Sequence, residues 1–67
     1  MNLILVRNLK NKNIYRIVGD AIYTSKDNTH TKIIIYKEYT DHEIENLLAM
    51  DVGLFWETHQ VTNLNDI

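Results

Sequence analysis

The sequence predicts one small domain covering residues 1–67, mainly β with one short helix, folded as a curved antiparallel β-barrel. Three observations predict it. Residues 13–23 (NIYRIVGDAIY) and 32–39 (KIIIYKEY) are dense in the β-branched and aromatic residues that suit strands. The first of these runs carries one of the chain's two glycines at its middle, where a strand bends or bulges. Only one segment, residues 40–53, combines a helix-start signal with helical spacing of its apolar residues.

The elements follow in order. Residues 2–9 (NLILVRNL) place Leu3, Leu5 and Leu9 on one face and Ile4 and Val6 on the other, which fits a strand buried on both sides. Asn8, Asn11 and Asn13 then mark a turn, since asparagine tolerates left-handed backbone angles and caps nearby amides. In the second strand Tyr15, Ile17, Ala21 and Tyr23 share one face by the period of two, while Ile14, Val18 and Ile22 share the other with Arg16 and Asp20. Neither face is cleanly polar. A flat two-layer sheet does not ask for this pattern. A sharply curved strand does, because its two halves serve opposite sides of a core, as in SH3-like barrels. Gly19 falls at the expected switch, where glycine would relieve crowding, with Asp20 facing solvent at the corner.

Residues 25–31 (SKDNTHT) read as a hairpin loop. In the third strand Ile33 and Ile35 face one way and Ile34 and Tyr36 the other, as in a central strand buried on both sides. Thr40 then serves as N-cap with Glu43 completing a capping box, and Ile44, Leu47 and Leu48 form the apolar stripe of a helix over roughly residues 40–50. Residues 54–61 (LFWETHQV) return to strand-like composition. The expected order is β-β-β-α-β, with residues 62–67 available for a fifth short strand or a 3₁₀ turn.

Three fragments, YRIVGDA at 15–21, IIYKEY at 34–39 and LFW at 54–56, carry a likeness. Together they resemble the small bacterial and phage proteins grouped as domain of unknown function 1653. Tyr15, Arg16, Gly19, Ala21, Tyr36 and Trp56 match that family's pattern. Thr58 and His59 replace its arginine-proline after the tryptophan, and a helical segment stands where it has a short loop. The resemblance implies an SH3-like barrel and no chemistry.

Composition narrows the function. A chain of this length buries only about 60% of its unfolded surface, and it has no cysteine to supply a disulfide or thiolate metal site. The opening residues show no signal-peptide pattern, and no run approaches the roughly 20 apolar residues of a membrane span. The reading is cytoplasmic. Many Ile, Asn, Lys and Tyr residues have A/T-rich codons, which points to a low-GC bacterium or its phage. Residues 1–37 hold all seven basic residues against two acids, whereas residues 38–67 hold seven acids and no base. Such halves either neutralise each other within one fold or mark an interaction surface.

Catalysis finds little support. No two of His30, His42 and His59 lie two to four apart, and His42 with Glu45, an i, i+3 couple on a helix, would give only two ligands, so no metal or other cofactor is expected. Glu57 and His59, two apart, would share a strand face, a pairing more typical of a surface hydrogen bond than of proton transfer. There is no phosphate loop, nucleophile elbow or cysteine nucleophile. The expectation is a non-enzymatic protein-binding module of phage type that modulates a host protein. It would use Tyr39, Glu43, Trp56, Glu57 and His59, with Trp56 partly in the core and Tyr39 the more exposed. The alternative is a small nucleic-acid-binding barrel using Arg16, Lys32, Tyr23 and Tyr36, since basic grooves with aromatic platforms hold single strands. A homodimer is also open, because so small a core gains from pairing.

Overall fold

The computed structural model describes residues 3–40 and 46–63. Among the described residues five strands and one helix run in the order β1 (Leu5–Asn8), β2 (Ile14–Thr24), β3 (His30–Glu38), β4 (Leu48–Asp51), α1 (Val52–Thr58) and β5 (His59–Thr62). They form one antiparallel sheet in the spatial order β4-β3-β2-β1-β5. The first four strands meander, and β5 returns to the far side of β1.

The edges, β4 and β5, do not pair with each other, so the expected barrel is not closed. The sheet is nevertheless curled. In a flat sheet four inter-strand steps would separate the two edges by about 19 Å. The helix that joins them advances only about 12 Å from Asp51 to His59. The edges are therefore drawn toward one another over the face that α1 covers.

That face holds the core. Val6, Ile34, Tyr36 and Phe55 are buried together, with Tyr15, Ile17, Met50 and Val52 packed around them. Leu5 is also buried, on the other side of β1. The expectation for β1 thus holds for Leu5 and Val6. In β3 it holds on one side only: Ile34 and Tyr36 are buried, while Ile33 and Ile35 are partly covered.

The irregularity expected in β2 is present. Ile17 stands opposite Tyr36 and Gly19 opposite Ile35, so Val18 is the extra residue of a β-bulge. The bulge shifts the alternation by one position. Asp20 and Ile22 continue the face of Tyr15 and Ile17, while Ala21 and Tyr23 pass to the other side. The reason expected for the glycine is corrected, however. Gly19 does not have a positive φ, and a Cβ there would meet nothing within 4 Å. The extra residue, not relief of crowding at Gly19, makes the switch.

Past the bulge β2 no longer has β1 beside it, and beyond Ala21 and Ile33, where the pairing with β4 also stops, β2 and β3 continue alone as a two-stranded arm. At about 3.3 Å per residue the eleven residues of β2 extend about 36 Å, most of the molecule's 43 Å long axis. The arm ends in a tight loop. Ser25 N–H donates to Thr29 O (3.0 Å), Asn28 takes φ 66°, and the Asp27 carboxylate accepts from Thr29 N–H (3.1 Å) and the Ser25 hydroxyl.

The second half corrects the sequence reading. Residues 48–51 form strand β4, paired with β3, rather than the end of a helix. The expected capping box at Thr40 and Glu43, and the stripe residue Ile44, involve positions 41–45, outside the described residues. Residues 54–58, expected as strand, belong to α1. Edge pairing along Ile33–Tyr36 outweighs the local preference of Leu48 and Met50, and a cap at Asp51 turns the following residues into helix.

Candidate functional site

The helix is short and firmly placed. The Asp51 carboxylate accepts a hydrogen bond from Leu54 N–H (3.1 Å), satisfying one of the free amides of the first turn. Val52 and Phe55, three apart, turn toward the sheet. At the other end the Thr58 hydroxyl lies 2.9 Å from Leu54 O and 3.6 Å from Met50 Sδ, tying the last turn to β4.

Beneath α1 lies a cluster of rings. Phe55, fully buried, stacks on His59 with ring centres 4.3 Å apart and planes 7° from parallel. Tyr36 meets both edge-on, at 5.0 and 5.5 Å, and Tyr15 meets Tyr36 and His59 at 5.5 and 5.6 Å. Burial, with Tyr15 alongside, raises the Tyr36 phenol above its ordinary value.

His59 is 3% exposed, and its partners fix its proton. Nδ1 lies 3.0 Å from Phe55 O, which can only accept, and 2.9 Å from the Thr58 hydroxyl, and a hydrogen on Nδ1 leaves Nε2 as the acceptor that its Asn8 neighbour requires. Asn8 Oδ1 accepts from the backbone N–H of Lys10 and Asn11, both at 2.9 Å. This leaves Asn8 Nδ2 to donate to His59 Nε2 at 3.3 Å. The turn after β1 and the start of β5 are thereby joined through one buried imidazole. The expectation of His59 as an exposed binding residue, or as a strand-face partner of Glu57, is corrected: Glu57 is on α1 and His59 in the core.

The exposed residues of α1 are Gly53, Leu54, Trp56 and Glu57. Trp56 is 44% exposed and rests edge-on against Phe55 at 5.0 Å. Leu54 is exposed on the helix, as is Leu48 on β4. Glu57 lies next to Trp56 in the chain and is also exposed. The expectation that Trp56 would be partly core and Tyr39 the more exposed is corrected. Phe55 takes the core position, and Tyr39 is 40% exposed at the end of β3, with its N–H bonded to Ile14 O. Neighbours on a helix lie about 100° apart, so Trp56 is displaced to the flank rather than to the opposite face. Glu43 is outside the described residues.

The residues of the nucleic-acid alternative are dispersed. Tyr36 is in the core, and Lys32 faces Asp20 at 3.6 Å. Arg16 is partly covered in β2, and Tyr23 is exposed on the arm. Among the described residues no three metal-ligating side chains gather, and no helix is long and apolar enough to cross a membrane. A surface cavity of about 330 Å³ beside β5 is lined by Arg7, Gln60, Val61 and Thr62.

Leu48, expected in the apolar stripe of a helix, stands instead on β4, and Leu54, in a segment of strand-like composition, stands on α1. A signal for the helix did exist: Val52, Phe55 and His59 recur at spacings of three and four. Comparison of the chain with family models, curated proteins and solved structures finds no match.

Proposed function

We propose that the protein is a non-enzymatic binding module that docks another protein across the exposed side of α1, with Trp56 and Leu54 as anchors on its two flanks and Glu57 between them. The observation that carries this reading is a large aromatic held in the open on a fixed element. Trp56 is exposed, yet its helix is capped at Asp51 and pinned through Phe55 and His59. A partner would therefore meet a surface already in place, and tryptophan is prominent among interface hot spots. Glu57 and Asp51 lend the margin negative charge suited to a basic partner surface.

The same proposal takes the curled sheet as an incompletely closed SH3-like barrel, supported by the meander, the return of β5 beside β1 and the short helix between β4 and β5. It includes the family resemblance and a cytoplasmic, phage-type accessory role in modulating a host protein. No placement of Arg16, Lys32, Tyr23 and Tyr36 favours the nucleic-acid alternative.

The test compares affinity capture from a bacterial lysate by the wild-type chain, Trp56→Ala and Leu54→Ala, each first checked for folding by circular dichroism. A partner held by the wild type and lost by both variants supports the reading. A partner retained by both, or retardation of single- or double-stranded nucleic acid in a low-salt gel shift, contradicts it.

A further inference from the structure

We propose that the free edge of β2, residues 18–24, is a self-association site at which two copies of this chain pair antiparallel with Ile22 on the two-fold axis. This surface runs along the edge of β2 away from β3 and into the arm, and the inference goes beyond the proposed docking role.

β1 accompanies β2 only as far as Ile17, whose N–H donates to Ile4 O (3.0 Å). Beyond that point no described strand lies on this side of β2. The other sheet edges, β4 and β5, are four residues each. The direction of the free backbone groups follows from the two ends of the stretch. Ile17 N–H points toward β1, and Ser25 N–H points across the hairpin to Thr29 O. With the bulge shifting the alternation once between them, Asp20, Ile22 and Thr24 direct their N–H and C=O groups to the open side.

The side chains do not protect this edge. Residues 18–24 contain no proline and no lysine, the usual deterrents to pairing. Val18, Ile22 and Tyr23 are exposed there, Ile22 at 61% and Tyr23 at 59%. The only charge, Asp20, is already set against Lys32.

The stretch also complements itself. With Ile22 on the axis, Ile22 faces the Ile22 of the second copy, and Asp20 and Thr24 face each other twice. The three outward residues of each copy then form six backbone hydrogen bonds. On the opposite face the Tyr23 ring lies across from the small Ala21. The two Asp20 carboxylates end about 14 Å apart, beyond the screening length of about 8 Å at physiological salt. Moving the axis to Ala21 would leave four such bonds and place Ile22 against Asp20. An edge strip of this size falls in the class of small, transient interfaces, so the dimer is weak.

Sedimentation velocity from about 10 μM to about 1 mM, concentrations at which weak pairing is populated, tests the proposal. The wild type should shift from monomer to dimer, and Ile22→Lys should remain monomeric with an unchanged circular dichroism spectrum. A second measurement does not depend on how that variant folds. Because the chain has no cysteine, Ile22→Cys introduces a single thiol. Facing Cα atoms about 5.5 Å apart across the axis can be bridged, so mild oxidation should cross-link this variant faster than an exposed Leu54→Cys control. A wild type that stays monomeric throughout, an Ile22→Lys variant that dimerises equally, or equal cross-linking of the two cysteine variants would overturn the proposal.

Discussion

Truncating Phe55 should remove most of the protein's stability. Its ring is fully buried and touches three others: His59 face to face, and Tyr36 and Trp56 edge-on. Phe→Ala changes at such sites cost about 3–5 kcal/mol through lost transfer energy and the cavity left behind. A chain this long has roughly 3–10 kcal/mol of net stability in total. The change therefore lowers the folding equilibrium constant by a factor of about 10² to 10³ or more, at 1.4 kcal/mol per tenfold. Phe55→Leu keeps most of the volume and should lose less, including ring pairing worth about 0.5–1.5 kcal/mol. Urea denaturation provides the assay. Trp56 is the chain's single tryptophan and rests against Phe55, so its emission should report the transition directly. A loss below about 1 kcal/mol for Phe55→Ala, the size expected at an exposed position, would refute the claim that α1 closes the core through this ring.

Other perturbations probe separate parts. Asn8→Ala leaves His59 Nε2 without its donor and the following turn without its cap; urea midpoints should register a loss of about 1–3 kcal/mol. Gly19→Ala should fold unchanged or gain about 0.4–1 kcal/mol, since the backbone there suits any residue and the space is open, and the same denaturation series checks it. The Asp27 carboxyl is held down at about 2 instead of 3.8, first by the Ser25 hydroxyl and then by Thr29. Its folded value being the lower, the support it gives the hairpin loop is fully present above pH 3.8 and disappears as pH falls through about 2; an NMR titration of the Asp27 side chain should find the midpoint there.

Much of the first half was legible because its signals are local. The residue types of β2 and β3, the turn formers between them and the anomaly around Gly19 each lie within a few positions of what they specify. The bulge shows why location and cause came apart. Two-residue periodicity fails at that point whichever residue is extra, and only the pairing with β3 singles out Val18. In the second half, local and long-range preferences disagree. Leu47 and Leu48 suit a helix, but Leu48 to Asp51 pair with Tyr36 to Ile33, contacts that no nearby residue announces. Phe55 and Trp56 favour strands by composition, yet a cap at Asp51 and the spacing of Val52, Phe55 and His59 make them helical. His59 was the least legible of the candidate residues, because the partner that satisfies its Nε2, Asn8, is 51 positions away.

Proton NMR of the folded chain tests the account most directly through nuclear Overhauser contacts around Phe55. The account predicts cross-peaks from its ring to the rings of His59 and Tyr36, with sequential amide contacts of helix over residues 52–58 and cross-strand contacts from β4 to β3. A helical pattern over residues 46–51, with extended chain through Phe55 and Trp56, would contradict it.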